Sequence, residues 1–189
     1  MKFYYNSIEL EVPDGIYYPD EDSILLAETI QQLFIKNKDV LEVGCGSGLV
    51  AILLAQNNKV TALDINEEAV KATEENAKAN NAEINALRSD LFKNVKQKFD
   101  IIIFNAPYLP PSDMDKYLGK EKRNLIDDNV IERFLGQLSK YLNKEGFALL
   151  VTSSLTKLNM QDKELRIEVI ASKKLPWEEL KVFKITTLQ

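Results

Sequence analysis

Two short segments combine residue types that could bind a ligand and hold a reacting group. The first, residues 41–48, has the sequence LEVGCGSG, and the second, residues 105–108, has the sequence NAPY. Each contains or directly follows a short apolar run of the kind that forms a buried strand. In doubly wound α/β sheets, ligands bind beyond the carboxyl ends of the strands, near the point where the strand order reverses. We therefore predict that both segments contribute to one site.

The glycine-rich segment has the chemistry of a nucleoside site. Its glycines allow a sharp turn and a close approach of the backbone to a ligand. Asp64, about twenty residues beyond the first glycine, suits hydrogen bonds to ribose hydroxyls. The dinucleotide fingerprint would need a further glycine where this chain has Leu49, and Glu42 suits a cationic amine better than a pyrophosphate. These features favour a nucleoside ligand without phosphates over the alternative of a turn that serves only helix–sheet packing.

Asp90 is a second candidate contact for a nucleoside. It follows a predicted strand, and its carboxylate could accept a hydrogen bond from the exocyclic amine of an adenine ring while Leu91 packs beside that ring. A helix cap or a loop aspartate explains the same position equally well. Asp22 and Ser23 lie at a predicted helix start and could likewise be capping residues.

The NAPY segment suits a planar amino group. Pro107 restricts Ala106 to an extended conformation, which fixes the direction of the Ala106 carbonyl. The side chain of Asn105 supplies a second oxygen acceptor, and Tyr108 offers an aromatic face. Two fixed acceptors can orient the lone pair of a delocalised nitrogen and stabilise the positive charge that develops there, so catalysis needs no histidine. The alternative is a proline-stiffened loop with a buried tyrosine.

The elements that position these segments alternate between strand and helix. Periodicity and turn signals predict a hairpin at 2–12, a helix beginning near Asp20, a strand at 40–43, a helix at 49–56, a strand at 59–63, a helix from Asn66 to about residue 80, strands at 84–87 and 100–104, a helix at 130–142, and strands at 146–151, 166–171 and 180–186. This order predicts an α/β fold with a doubly wound, mostly parallel, seven-stranded sheet and an antiparallel edge strand. The length suits a single domain, 1–189.

Composition argues against several classes of protein. The formal charge is −5, whereas proteins that bind phosphate backbones usually carry a basic surface, so nucleic acid is a less favoured partner. The chain has a single cysteine and no histidine, which gives no internal disulfide and no metal-ligand cluster. No apolar run approaches the roughly 18 residues that span a bilayer. We therefore expect no metal, no membrane association and a cytoplasmic location.

With both segments placed, the chain resembles the HemK-type class I S-adenosylmethionine-dependent methyltransferases, and most of all their short archaeal and eukaryotic branch. The similarity lies in YPDEDSILL at 18–26, in LEVGCGSG at 41–48 and in VIERFL at 130–135. It implies a Rossmann-like fold and methylation of the glutamine side-chain amide in the Gly-Gly-Gln motif of a translation termination factor, or peptide chain release factor. It also implies a small zinc-binding activator protein, which we expect at an exposed edge strand formed by residues 84–87.

The resemblance also implies roles for individual residues. The cofactor site would comprise Ser23, Glu42, Gly44, Cys45, Gly46, Gly48, Asp64, Asp90, Leu91 and Asn105. The target amide would be held by Asn105, Ala106, Pro107 and Tyr108. Two features depart from the family pattern: Ala106 stands where relatives usually have proline, and the loop 124–129 lacks the glycines that relatives carry near the substrate entrance. Because Ala106 would contribute only its backbone carbonyl, we expect activity to survive.

Other functions are compatible with the same residues. The NAPY type of segment also serves enzymes that methylate an exocyclic amine of adenine or guanine in DNA or RNA, which would predict a basic groove. Lysine methylation fits less well, since a lysine must lose a proton before it attacks. A non-catalytic, cofactor-binding scaffold and a nicotinamide-dependent oxidoreductase are more distant alternatives.

Overall fold

A computed structural model describes residues 1–108, 129–156 and 164–188 of the chain. The elements within these segments are β1 (Lys2–Tyr5), β2 (Ile8–Glu11), α1 (Glu21–Gln32), β3 (Asp39–Val43), α2 (Leu49–Ala55), β4 (Lys59–Asp64), α3 (Glu67–Ala79), β5 (Ile84–Arg88), β6 (Phe99–Asn105), α4 (Val130–Tyr141), β7 (Leu142–Ser153), β8 (Leu165–Lys174) and β9 (Glu179–Thr187).

The central sheet of the described residues has seven strands in the order β5-β4-β3-β6-β7-β9-β8, and β1 and β2 form a separate hairpin. The five strands from β5 to β7 run parallel, whereas β9 runs antiparallel to both of its neighbours. The chain moves outward from β3 to β5 and then returns to β6 on the other side of β3, so the strand order reverses between β3 and β6. The predicted doubly wound sheet with antiparallel pairing at one edge is confirmed.

Side chains of the sheet alternate between two apolar layers. Val40 and Ile101 belong to the layer that packs against α1 and α2, and Leu41 and Ile102 belong to the layer that packs against α4. Residues 101–104 are therefore buried on both faces, which explains why the sequence of β6 is apolar without interruption.

The starts of two helices follow from side-chain capping. Asp20 precedes α1, and its carboxylate accepts a hydrogen bond from the backbone N–H of Glu21. Asn66 precedes α3, and its side chain accepts a hydrogen bond from the N–H of Glu68. Acidic residues in the first turn of each helix also suit the positive end of the helix dipole. Both predicted starts are confirmed.

The β1–β2 hairpin is held against α2 and α3 by an apolar cluster and by one buried amide. Phe3, Leu10 and Ile52 belong to the cluster. The amide is that of Asn76, which donates to the carbonyls of Glu11 and Ser47, each at 2.9 Å, and accepts a hydrogen bond from the N–H of Glu11. Asn76 thereby joins the hairpin to the glycine turn.

One strand boundary differs from the prediction. Strand β7 begins at Leu142 rather than near residue 146, because Leu142 pairs with Phe99 before the register shifts. The unusual loop sequence at 124–128 lies outside the described residues. Within the three described segments, every helix is too short or too polar to cross a membrane.

Candidate functional site

A cavity opens at the carboxyl ends of β3, β4 and β6, where the strand order reverses. Its wall brings together all but one of the predicted site residues: Ser23, Glu42, Gly44, Cys45, Gly46, Asp64, Asp90, Leu91, Asn105, Ala106, Pro107 and Tyr108. The exception is Gly48, which does not line the cavity. One side is closed by residues that connect the hairpin to α1, namely Gly15, Ile16, Tyr17 and Pro19.

Gly46 and Gly48, both in the glycine-rich turn, have different structural roles. Gly46 has a φ of +54°, and a Cβ built on it would meet no atom within 4 Å, so its backbone is open to a ligand. Gly48 has a φ of +89°, and its Cβ would lie only 3.1 Å from Cγ2 of Thr73. The packing alternative therefore accounts for Gly48, where the turn meets α3, and not for Gly46.

Asp64 lies at the end of β4 and is fixed by the turn that it faces. Its Oδ2 accepts a hydrogen bond from the N–H of Gly46 at 3.0 Å, and its Oδ1 accepts one from the N–H of Asn66 at 2.9 Å. Burial raises the pKa of Asp64, and the backbone N–H donors oppose that shift. Each oxygen keeps acceptor capacity for a ligand hydroxyl.

Glu42 is buried in the cavity wall, with 5% of its surface exposed. Its Oε2 has no hydrogen-bond partner among the described residues. Burial raises the pKa of Glu42 well above its ordinary value; a hydrogen bond from the backbone of Ala51 opposes the shift, and the charge of Asp64 adds to it. A buried acceptor without a hydrogen bond lowers the stability of the folded protein. The ammonium group of S-adenosylmethionine would supply the missing hydrogen bonds, so this residue fits the predicted cofactor.

Asp90 has a partner that the sequence does not predict. Arg133 of α4 donates from one guanidinium nitrogen to both carboxylate oxygens of Asp90, and both residues line the cavity. Asp90 is therefore not a side-chain helix cap. No spacing pattern in the sequence indicates this contact, because the two residues lie 43 positions apart.

Leu91 follows in a left-handed backbone conformation, with a φ of +46°. The turn that holds it is closed by Ser89, whose hydroxyl donates to the carbonyl of Leu91 and accepts from the N–H of Asn94. A leucine rarely adopts this conformation. The strain directs its side chain, which is buried, into the cavity wall.

The NAPY segment begins at the end of β6, as predicted. The Asn105 amide donates from Nδ2 to Oγ of Ser23 at 3.3 Å. Its Oδ1 is buried and has no partner among the described residues. The Tyr108 hydroxyl donates to Oδ2 of Asp22 at 3.1 Å. A free amide oxygen and a fixed aromatic ring are thus present in one wall, next to the backbone of Ala106 and Pro107.

Asp22 holds other side chains of the site in place and is not a helix cap. It is 3% exposed, and its Oδ1 accepts a hydrogen bond from the hydroxyl of Tyr17 at 2.9 Å in addition to the Tyr108 contact at Oδ2. Nothing in the sequence pattern predicts a role for Tyr17. Because Asp20 already caps α1, the carboxylate of Asp22 is available to hold both tyrosines.

Cys45 contributes backbone rather than a reactive thiol. Its side chain is buried, and its Sγ accepts a hydrogen bond from the hydroxyl of Thr73 at 3.2 Å. Burial raises the pKa of this thiol well above its ordinary value, which keeps it protonated and unreactive.

The profile of the methyltransferase small domain matches residues 17–174. The chain belongs to this family. The matched region contains every predicted site residue. Family membership confirms the predictions of a methyltransferase and of S-adenosylmethionine as its cofactor.

Proteins that are similar to this methyltransferase differ in how much of their own length it covers. A putative protein N5-glutamine methyltransferase of Methanocaldococcus jannaschii is 42% identical, over 93% of this chain and 93% of its own length. A release factor glutamine methyltransferase of Streptococcus pneumoniae is 37% identical, over 56% of this chain and 39% of its own length. The solved E. cuniculi Mtq2–Trm112 complex contains a chain that shares the fold, with a TM-score of 0.70 and 23% identity, over 92% of this chain and 99% of that one.

Proposed function

We propose that this methyltransferase transfers a methyl group from S-adenosylmethionine to the glutamine side-chain amide in the Gly-Gly-Gln motif of a translation termination factor. The observation that carries the proposal is the buried Oδ1 of Asn105, which has no hydrogen-bond partner among the described residues. A primary amide supplies the N–H donor that this oxygen lacks. Tyr108, whose hydroxyl is fixed by Asp22, offers a ring against which the amide plane can pack.

The cofactor would be held by residues from three strand ends. Glu42 would accept hydrogen bonds from the ammonium group, and Asp64 would accept them from the ribose hydroxyls. Asp90 would accept a hydrogen bond from the adenine amine, while Leu91 packs against the ring. Gly46 leaves open space for the close approach of the ligand. When bound, S-adenosylmethionine supplies a methyl group on a positively charged sulfur, so that one C–S bond breaks as one N–C bond forms.

The protein's part in the reaction is to orient the amide and to stabilise charge. An amide nitrogen is a weak nucleophile because its lone pair is delocalised. Hydrogen bonds from its two N–H groups to Oδ1 of Asn105 and to the carbonyl of Ala106 would hold the nitrogen in place and stabilise the positive charge that develops on it. This role uses only the backbone of Ala106, so the loss of the usual proline is compatible with activity.

The proton that the nitrogen loses leaves to solvent after transfer. Burial, together with the charge of Asp22, raises the pKa of Tyr17 and of Tyr108 above the ordinary tyrosine value. Both hydroxyls therefore stay protonated and act as hydrogen-bond donors to Asp22 rather than as bases. The mechanism needs no general base from the described residues.

The substrate assignment is supported by what similar proteins are named for. The Methanocaldococcus jannaschii relative is called a putative protein N5-glutamine methyltransferase. The E. cuniculi Mtq2–Trm112 complex is described as responsible for methylation of the eRF1 translation termination factor. A cytoplasmic location suits such a substrate, and the formal charge of −5 disfavours a nucleic-acid substrate. We further propose that residues 1–189 act as one catalytic domain.

We also propose that a small zinc-binding activator protein pairs with β5. This strand is at one end of the sheet, and in the described residues only β4 pairs with it. Ile84, Ala86 and Leu87 are only partly buried there. An exposed strand edge is a template for pairing with another chain. Co-expression should then yield a stoichiometric complex and less aggregation than the chain alone; two separate elution peaks in size-exclusion chromatography would contradict this arrangement.

The substrate class is tested by supplying labelled S-adenosylmethionine with either the cognate termination factor or total cellular RNA and DNA. Label in the protein fraction alone is the expected result. Label in nucleic acid alone would replace the proposal with methylation of a base amine. The Asp64→Ala variant serves as the control that removes a proposed cofactor contact.

A further inference from the structure

A chain of hydrogen bonds connects α1 to the side-chain amide of Asn105. The hydroxyl of Ser23 donates to Oδ1 of Asp22 at 3.1 Å. Nδ2 of Asn105 donates to Oγ of Ser23 at 3.3 Å. Ser23 is 6% exposed and Asp22 is 3% exposed, so solvent has little access to either link.

The direction of this chain is fixed at Asp22. Besides the Ser23 hydroxyl, its carboxylate accepts hydrogen bonds from the Ser23 N–H, from Tyr17 and from Tyr108. An ionised carboxylate only accepts, and it holds a hydroxyl proton more strongly than a neutral amide oxygen does. The Ser23 hydroxyl therefore donates its single proton to Asp22.

Because the Ser23 hydroxyl donates to Asp22, the orientation of the Asn105 amide is also determined. Oγ of Ser23 has only lone pairs left to offer, so Asn105 must present its Nδ2 to it. The reverse orientation would set the amide oxygen against these lone pairs. Oδ1 of Asn105 is consequently left buried and without a partner among the described residues, in a side chain that belongs to the cavity wall.

We propose that Asp22 and Ser23 are positioning residues that set the orientation of the Asn105 amide and thereby make the site select an –NH2 donor over a carboxylate. The inference rests on the proposed function and assigns its selectivity for glutamine over glutamate. With Oδ1 outward, Asn105 accepts from a glutamine amide and repels the glutamate carboxylate. With Nδ2 outward, it would repel the amide and donate to the carboxylate.

Two substitutions release the orientation without touching Asn105. In Asp22→Asn the new amide can donate to Oγ of Ser23, which frees the Ser23 hydroxyl to donate to Oδ1 of Asn105 and turns that amide over. In Ser23→Ala the link is absent, and the amide loses its fixed orientation. Ser23→Thr retains the hydroxyl and is the conservative variant that should rescue selectivity.

The matched control is Asp20→Asn. It makes the same chemical change two residues away, on the exposed residue that caps α1, and asparagine caps a helix as well as aspartate does. Its selectivity should equal that of the parent protein.

The experiment measures binding of two peptides by calorimetry in the presence of S-adenosylhomocysteine, one peptide containing Gly-Gly-Gln and the other Gly-Gly-Glu. The parent should prefer the glutamine peptide by about tenfold or more, since an unpaired or opposed polar group is strongly rejected. Asp22→Asn and Ser23→Ala should bring this ratio close to one. If Asp22 and Ser23 had a purely structural role, their substitution would weaken the binding of both peptides equally and leave the ratio of the two affinities unchanged.

The outcomes separate the inference from the proposed function. Methylation of the glutamine peptide by the parent is measured first, and its absence would overturn the proposed function together with the inference. If the parent methylates this peptide and both variants, folded by thermal melt, retain the parental binding ratio, the inference alone is overturned. Ser23→Ala keeps the test decisive should the buried Asp22→Asn variant fail to fold.

Discussion

The guanidinium of Arg133 donates hydrogen bonds to both carboxylate oxygens of Asp90, at 2.9 and 2.8 Å, across the wall of the cavity. Both side chains are 38% exposed. The contact ties α4 to the strand end that would receive the adenine ring. It also holds the Asp90 carboxylate in one orientation while leaving each oxygen capacity to accept a further hydrogen bond.

Arg133→Met should weaken the binding of S-adenosylmethionine because Asp90 loses its orienting partner. The pair is partly exposed and screened by solvent, so we expect a loss of about 1 kcal/mol, or about fivefold in affinity. Calorimetric titration measures the change. Lys140→Met, which removes a positive charge from the exposed side of the same helix, is the control. Equal affinities in all three proteins would exclude Arg133 from any role in the cofactor site.

Asp64→Ala should weaken cofactor binding more strongly. It removes the proposed acceptor of the ribose hydroxyls and also the partner of the Gly46 N–H. Hydrogen bonds to a charged group contribute about 1.5–3 kcal/mol each, which corresponds to a loss of at least about tenfold in affinity. Asp39→Ala, at the start of β3 and far from the cavity in the sheet, controls for the loss of a negative charge. Unchanged affinity in Asp64→Ala would remove this residue from the site.

Glu42→Gln should have opposite effects on stability and on binding. Because the pKa of Glu42 is raised in the folded protein, its contribution to stability is fully present below the ordinary value of 4.5 and is lost as the pH rises through the raised value. Without cofactor, the glutamine variant should therefore match the parent near pH 4 and melt at a higher temperature than the parent at pH 7. For a chain of this size, about 1 kcal/mol corresponds to about 2–4 °C.

The same variant should bind S-adenosylmethionine less tightly, since a neutral amide attracts an ammonium group less than a carboxylate does. Thermal melts between pH 4 and pH 8, with and without cofactor, measure both effects. Glu83→Gln, at an exposed position, should change neither. A lower melting temperature for Glu42→Gln at pH 7 without cofactor would contradict the assignment of a costly buried charge.

The sequence predicted the fold well because strand burial and helix starts are local signals. The apolar run of β6 and the capping residues Asp20 and Asn66 are visible without any knowledge of partners. The same holds for the NAPY segment, whose position at a strand end follows from the apolar residues before it.

The missed features depend on contacts between distant parts of the chain. Arg133 meets Asp90 across 43 positions, and Tyr108 meets Asp22 across 86. Neither pair leaves a spacing pattern in the sequence. Asp22 also resembled a capping residue, because acidic residues at helix starts usually have that role. Gly48 was placed in the cofactor site by the family resemblance, whereas the closeness of Thr73 to the position of an added Cβ indicates a role in packing.

The most direct test of the proposed function is mass spectrometry of the Gly-Gly-Gln peptide from the cognate termination factor. The factor is incubated with S-adenosylmethionine and either the parent enzyme or Asn105→Ala, with the activator co-expressed. We expect one added methyl group on the glutamine side chain with the parent and none with Asn105→Ala. An unmodified glutamine after incubation with a parent enzyme that demonstrably binds the cofactor would contradict the account.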